Sequence, residues 1–144
     1  MELFRFTFDK MDTDCFLISP YIHTRRNIMI EQWIKDIKAK SDFQDLGMIL
    51  VHNGVVRATS KTGKPVKGMN LTYDRGKLSL LINKLKKKEG IIAIKVWINE
   101  GLLTVGDDIM YACVAGRFRT TVIPVLEELV AGIKSQIVTE AEIF

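Results

Sequence analysis

The sequence predicts a single domain that combines β-strands with amphipathic helices. Apolar residues recur at the three- and four-residue spacing of a helix face in residues 78–85 and again in residues 122–133. Between these segments, the β-branched run of residues 91–98 predicts a buried strand. A chain of 144 residues has the length of one domain with a real hydrophobic core.

The composition is that of a soluble globular protein with a mild excess of positive charge. Hydrophobic residues make up 47% of the chain and charged residues 26%, and the formal net charge is +4. This excess fits an anionic small molecule or an acidic partner, but it is too small to indicate nucleic-acid binding. No apolar run could cross a bilayer and the N-terminus is unlike a signal peptide, so we expect a cytoplasmic protein without a membrane contact.

The sequence contains none of the short motifs that indicate a metal, a nucleotide or a serine nucleophile. Cys15 and Cys113 are the only cysteines, and their apolar sequence surroundings predict buried free thiols rather than a disulfide. His23 and His52 are the only histidines, and a lone histidine is more often structural than catalytic. We therefore expect no metal site and no cofactor.

The first 45 residues predict a hairpin followed by a helix. Residues 3–9 alternate apolar and polar side chains, as on a half-buried strand, and residues 15–18 could return as its partner. A Ser-Pro pair at residues 19–20 would end that partner, and Asn27 is the expected N-cap of the helix. The apolar stripe of this helix consists of Ile30, Trp33, Ile34 and Ile37.

A short apolar run, residues 49–51, predicts a buried strand with a candidate anion-binding residue beyond its end. Asn53-Gly54 predicts a turn after the strand. Arg57 follows and begins a polar loop that includes Lys64. A permanently charged guanidinium beside such a loop suits a carboxylate or a phosphate. The alternative is a solvated arginine that opens a hairpin loop.

Further strands are predicted in residues 65–73, 102–105 and 109–115. Helix 78–85 is expected to end at Gly90. The lysines that follow its apolar stripe complement the helix dipole, which favours a solvated helix end over a nucleic-acid patch.

The last predicted helix carries the most regular apolar stripe of the chain. Thr120 or Thr121 is expected to cap it, and Pro124 is expected in its first turn. Lys134 closes the helix, and the tail of residues 135–144 is acidic and β-prone.

Four cations lie at the ends of the predicted elements: Arg57, Arg117, Arg119 and Lys134. Arg117 and Arg119 lie between a buried strand and a helix N-terminus, where backbone N–H groups already favour anions. The four residues could form one composite anion pocket, or they could be scattered solvated cations. Their spacing alone favours neither interpretation.

An ordered series of short motifs runs through the second two thirds of the chain. It begins with a glycine, a hydrophobic strand and a Gly-x-Val-Arg segment, which are Gly47, Gly54, Val56 and Arg57. A strand with the Leu-x-Leu pattern follows as Met69-Asn70-Leu71, and then the helix of residues 78–85. The next strands and turn are marked by Gly101, Leu103, Gly106, Asp107 and Ile109, and the series ends with Phe118-Arg119 and Lys134. This order resembles the large, catalytic subunit of molybdopterin synthase over residues 45–135.

The sequence departs from that family at two positions. The family's histidine before the last helix is replaced by Phe118, and its second lysine has no counterpart in residues 137–142. The N-terminal residues match only loosely. The single domain, residues 1–144, is thus expected to combine a divergent hairpin and helix (1–45) with a family-like core (46–135).

The resemblance implies an α+β domain of the α/β-hammerhead type, with a mixed or antiparallel sheet, about three helices and a homodimeric state. It also implies that each subunit accepts the Gly-Gly tail of a small ubiquitin-like sulfur carrier. The carrier's thiocarboxylate would deliver sulfur to cyclic pyranopterin monophosphate, which forms the dithiolene of molybdopterin in molybdenum cofactor biosynthesis.

The same resemblance assigns roles to six residues. Lys134 and Arg119 are expected to be catalytic, because chemistry at an acyl sulfur asks for a positioned lysine beside positive charge. Binding of the phosphate and of the carboxylate tail is expected to involve Arg57, Arg117, Lys64 and Phe118.

Two other interpretations stay open. One is a catalytically impaired relative that binds a sulfur carrier or a pterin as a regulatory or interaction module, which the missing histidine and second lysine suggest. The other is a dimeric binding module whose motif order is a coincidence.

Overall fold

The computed structural model describes residues 19–144, with side chains from residue 29 onward. The chain divides into two compact units, residues 1–32 and residues 33–144. Several N-terminal predictions lie outside the described residues: the strand at 3–9, its partner at 15–18 and the side chains of Cys15, His23 and Asn27.

Helix α1 extends from Ser19 to Lys40. The prediction that the helix begins at Asn27 is therefore wrong. Pro20 lies in the first turn of α1, where the missing N–H costs little and the fixed φ suits a helix, so the Ser-Pro pair begins the helix instead of preceding it.

The remaining elements follow in an order of mixed strands and helices. They are β1 (Met48–Val55), β2 (Gly68–Tyr73), α2 (Arg75–Lys86), β3 (Ile91–Ile98), β4 (Gly101–Thr104), β5 (Asp108–Gly116), α3 (Arg119–Gly132), a π-helical turn (Ile133–Ile137) and β6 (Val138–Ile143). The described part of the chain thus holds three α-helices and two antiparallel sheets, which confirms the predicted α+β class.

The first sheet has the strand order β1–β5–β3, and both pairings are antiparallel. Every residue of the central strand β5 is buried, because the sheet is covered on both faces. Met110 and Val114 face the main core, whereas Cys113 packs in a smaller cluster with Ile37 of α1. Burial raises the pKa of the Cys113 thiol to about 11, so the predicted buried free thiol is confirmed.

The second sheet has the order β4–β2–β6, again antiparallel. The β-prone tail supplies its edge strand β6, which pairs with β2 along its whole length. Leu71 of β2, Leu85 of α2 and Leu129 of α3 are fully buried and meet in the main core. Burying each leucine contributes about 1.5–3 kcal/mol, so this core ties the second sheet to both helices.

Asn53-Gly54 does not form the predicted turn. Asn53 lies opposite Tyr111 and Gly54 lies opposite Met110, so β1 continues past the pair to Val55. The Asn53 side-chain amide also donates to the Asp108 carboxylate at 3.0 Å. The pairing register shifts only after Gly54, and the dipeptide therefore precedes a β-irregularity instead of a reversal of the chain.

Helix α3 begins without the predicted threonine cap. Its N-cap is Phe118, whose side chain makes no capping hydrogen bond, and Thr120 and Thr121 already lie inside the first turn. Because α3 begins at Arg119, Pro124 lies in the helix interior and not in the first turn as predicted. There the proline removes the N–H that would bond to the carbonyl four residues earlier.

Candidate functional site

Lys134 is the second residue of the π-helical turn that follows α3. The turn is anchored by Ile133 and Ile137, which are both buried. Between them, the side chain of Lys134 remains 40% exposed. The sequence predicted that Lys134 closes a regular helix, but α3 ends at Gly132. Single π-helical turns occur frequently at functional sites, since the wider turn changes the direction in which a side chain points.

Glu140 on β6 forms an ion pair with the Lys134 ammonium. It lies directly opposite Leu71 in the pairing of β6 with β2. Opposite residues of an antiparallel pair share one face of the sheet, and Leu71 is fully buried, so Glu140 extends from the core-facing side at the edge of the sheet. The sequence offered only a weak signal for this residue, an acidic side chain at every second position of the tail.

His52 is half-buried on β1. Its Nε2 atom lies 3.7 Å from the position that a Cβ atom would take on Gly54, so the ring extends along the strand towards that glycine. Burial, and then the positive charge of Lys134, hold the pKa of the imidazole below its usual value of 6.5. The sequence did not predict His52 as a site residue. No local sequence pattern indicates that a strand residue is influenced by a lysine 82 positions later in the chain.

We expect replacement of Lys134 by methionine to raise the pKa of His52, because methionine keeps much of the apolar stem but removes the charge. The measurement is an NMR titration of the imidazole. In the wild type, the pKa of folded His52 lies below that of the unfolded chain, so this residue's contribution to stability should fall as the pH drops from about 6.5 through the folded pKa. An unchanged pKa in Lys134→Met would show that the two groups do not interact.

Arg57 and Lys64 belong to a well-ordered loop after β1. The Nε–H of Arg57 donates to the carbonyl oxygen of Thr59 at 2.8 Å, while the guanidinium remains exposed. Ser60 is buried, and its Oγ accepts from the backbone N–H of Lys64 at 3.1 Å. The Lys64 ammonium lies 5.9 Å from the centre of the Phe144 ring. The loop therefore presents two cations, of which Lys64 lies beside Phe144, the residue after β6.

Arg117, Phe118 and Arg119 lie at the junction of β5 and α3. The Arg117 guanidinium stacks 5.2 Å from the centre of the Phe118 ring, which is 58% exposed. Both side chains line a surface cleft of about 670 Å³ that also includes Asp45 and Glu89. This cleft therefore carries charges of both signs, in contrast to the purely cationic pocket that the sequence suggested.

Within one chain, the structure separates Arg57 and Lys64 from Arg117, Phe118 and Arg119. Arg57 follows the end of β1, and Arg117 follows the end of β5. Because these strands are antiparallel, the two arginines lie at opposite ends of the sheet. Arg119 begins α3, whose 14 residues extend about 21 Å, and Lys134 lies beyond its other end. The expected proximity of Arg119 to Lys134 is therefore absent within a single copy, where Glu140 is the charged partner of the lysine.

Two further observations concern the part of the chain from residue 19 to residue 144. No helix there has the length and apolar composition needed to cross a membrane. Within the same residues, no three histidine, cysteine, aspartate or glutamate side chains are grouped so that they could hold a metal ion.

Comparison with solved structures supports the fold assignment. Molybdopterin synthase from Staphylococcus aureus matches with a TM-score of 0.65 and 20% identity, over 79% of this chain and 83% of that chain. The complex of subunits 1 and 2 of the molybdopterin-converting factor from Helicobacter pylori matches with a TM-score of 0.64 and 16% identity, over 81% and 77%. The molybdopterin biosynthesis MoaE protein from Burkholderia ambifaria gives 0.63 and 16%, over 79% and 81%.

No curated protein is similar enough to this chain to match it. The model of one protein family, the MoaE proteins, matches residues 24–136. That match covers well over half of the 144 residues and includes Arg57, Phe118, Arg119 and Lys134. On this evidence of sequence and fold together, the chain belongs to the MoaE protein family.

Proposed function

We propose that this protein acts in molybdopterin biosynthesis as the large subunit of a molybdopterin synthase. In this proposal it transfers sulfur from the thiocarboxylated tail of a small ubiquitin-like carrier to cyclic pyranopterin monophosphate. The observation that carries the proposal is the position of Lys134, a partly exposed ammonium on a π-helical turn, within the residues 24–136 that match the MoaE family. The complex of two subunits that forms one of the similar structures supports the expectation of a carrier partner.

Lys134 supplies the chemical group that the reaction needs. Sulfur delivery forms a carbon–sulfur bond to the pterin in place of a carbon–oxygen bond. Release of the carrier breaks the bond between the sulfur and the acyl carbon of its tail, and water converts that acyl group to a carboxylate. A positioned amine can act on the acyl group as a nucleophile, donate a proton or stabilise developing negative charge. Burial and the charge of Lys134 lower the pKa of the His52 imidazole, which favours its neutral form as a proton acceptor.

The cations away from Lys134 supply the anion-binding groups. Arg57 and Lys64 lie on one loop, and Arg117 and Arg119 lie at the opposite end of the first sheet. A carrier tail and a phosphorylated pterin both carry negative charge, which suits guanidinium groups. Since one copy keeps the two groups apart, a site that uses both groups needs a second copy of the chain.

We therefore expect a homodimer in solution. Without a carrier, sedimentation velocity at micromolar concentration should give about twice the mass of one 16.4 kDa chain. A single species with the mass of one chain would contradict this expectation and, with it, a site shared between copies.

Arg57→Ala should weaken binding of the carrier or the pterin while the fold stays intact. The expected loss is about 1.5–3 kcal/mol, the usual contribution of a hydrogen bond to a charged group. Titration calorimetry measures this loss, and Lys61→Ala is the control because it removes a positive charge from the same loop. Equal affinities for the wild type and Arg57→Ala would show that Arg57 is a solvated loop residue that binds neither ligand.

A catalytically impaired relative is the second candidate, and one observation favours it. The acidic strand β6 occupies the region where the family carries its second lysine, and its Glu140 forms an ion pair with the remaining one, Lys134. Such a protein would bind a carrier or a pterin as a regulatory or interaction module without transferring sulfur.

Sulfur transfer from a thiocarboxylated carrier to cyclic pyranopterin monophosphate separates the two candidates. The wild-type protein is incubated with both substrates, and the dithiolene product is measured after oxidation to a fluorescent pterin. A carrier with a plain carboxylate tail serves as the control. Product formation supports the enzyme, whereas binding of the carrier without any product supports the impaired relative.

A further inference from the structure

Glu140 is an acidic residue on the side of the edge strand β6 that faces the core. Together with Val138 and Glu142, it belongs to the face of β6 that corresponds to the core-facing residues of β2. Its neighbour across the strands, Leu71, is completely buried, and only 28% of the Glu140 side chain is exposed. Its charged partner is the Lys134 ammonium on the π-helical turn, in an ion pair that stays partly exposed to solvent.

Lys134 in turn needs a partner if its position is to be defined. A lysine side chain has four rotatable bonds and loses rotamer entropy when it is ordered. The turn fixes the backbone of Lys134 through Ile133 and Ile137, but it does not fix the ammonium. The carboxylate of Glu140 does so, since the ladder of β6 with β2 holds that residue opposite Leu71.

The charge of the same ammonium contributes, after burial, to the lowered pKa of the half-buried His52 imidazole on β1. The contact that defines the position of the ammonium is the ion pair with Glu140 on β6. This arrangement keeps the amine at the rim of the core, where its stem is covered and its head is accessible to a ligand.

We propose that Glu140 is a positioning residue of the site, which holds the Lys134 ammonium in place through their ion pair and makes β6 part of the reaction centre. This inference rests on the proposed function, because it assigns Lys134 to the site. It extends that function to a residue in the strand that replaces the family's second lysine.

Glu140→Gln removes the charge but keeps the shape of the side chain. Glu142→Gln is the matched control, because Glu142 lies two residues further along the same strand and the substitution changes the net charge equally. The first measurement does not need activity: each protein is exposed to an amine-reactive ester, and labelling of Lys134 is followed by peptide mass spectrometry. We expect labelling in Glu140→Gln to be about two- to fivefold faster than in the wild type, which corresponds to loss of an exposed ion pair. Labelling in Glu142→Gln should match the wild type.

The second measurement is the kinetics of sulfur transfer. Glu140→Gln should lower kcat by about tenfold or more, because a displaced amine misses its productive geometry, while KM should change by less than about twofold. Glu140→Asp keeps the charge at shorter reach and should recover part of kcat. A merely structural role would instead lower the melting temperature of Glu140→Gln and leave kcat of the folded fraction unchanged.

The outcomes distinguish this inference from the proposed function. Equal labelling of Lys134 in the wild type and Glu140→Gln overturns the inference, whether or not the protein transfers sulfur. Equal kcat values in an active protein also overturn it. If the wild type transfers no sulfur but Glu140→Gln is labelled faster, the proposed function fails, while the role of Glu140 in holding the Lys134 ammonium is supported.

Discussion

Lys134→Ala should abolish sulfur transfer while carrier binding stays within about tenfold of the wild type, because the lost interaction acts on the transition state. The measurements are the transfer assay and calorimetry with the same carrier. Lys134→Arg should fail as well, since arginine keeps the charge but does not give up a proton at neutral pH. No second lysine of the family pair is present in residues 137–142, so no other residue is expected to replace the function of Lys134.

Lys87→Ala controls for the loss of a lysine, because Lys87 lies at the exposed C-cap of α2. It should retain full activity. If Lys134→Ala transfers sulfur as well as the wild type, Lys134 is not the catalytic residue. If the wild type is itself inactive with a competent carrier, the impaired relative is the better interpretation. Phe118→His is then the first reversion to make, since the motif order predicts that Phe118 stands in place of the family's histidine.

Gly116→Ala should destabilise the fold more than an ordinary glycine-to-alanine change. A Cβ at Gly116 would lie 2.4 Å from the carbonyl oxygen of Gly90 and 2.7 Å from Cγ2 of Val122. The carbonyl cannot easily retreat, because it accepts a hydrogen bond from the Arg117 N–H at 2.9 Å. We expect overpacking to lower the free energy of unfolding by about 1–3 kcal/mol or more, as measured by urea denaturation.

Gly54→Ala is the matched control on the neighbouring strand. The nearest atom to its added Cβ would be Cγ of Met110 at 3.5 Å, which is an ordinary contact. Neither Gly54 nor Gly116 has a positive φ, so backbone strain does not distinguish them. Gly54→Ala should change the free energy of unfolding by less than roughly 1 kcal/mol. Equal stability of the two variants would mean that β5 and α3 can separate at Gly116 without cost.

The regular elements of the core were predictable because their signals are local. The apolar stripes of α2 and α3 follow the helical period, and the β-branched residues of β3 follow from burial of a strand. Each pattern indicates which side of a helix or strand faces the core. That side can be predicted without knowing which other element packs against it. The resemblance of the motif order to one family then supplied the correct α+β class.

The errors arose where a neighbouring strand or helix overrides a local signal. Asn53-Gly54 has the composition of a turn, but its pairing with β5 provides hydrogen bonds that keep the backbone extended. Pro124 and the adjacent threonines resemble a helix start, but α3 begins earlier, at Arg119. In both cases, the packing energy of the longer element exceeds the preference of two or three residues.

The sequence by itself determined which residues could bind anions, and its order of motifs indicated the family. Only the tertiary structure decided which of them meet. The antiparallel pairing of β1 with β5 and the length of α3 place Arg119 far from Lys134 within one copy, and the pairing of β6 with β2 brings Glu140 to the lysine instead. Such contacts depend on the register of paired strands and on the length of a helix. Many residues together set both quantities, so a local pattern in the sequence does not predict them.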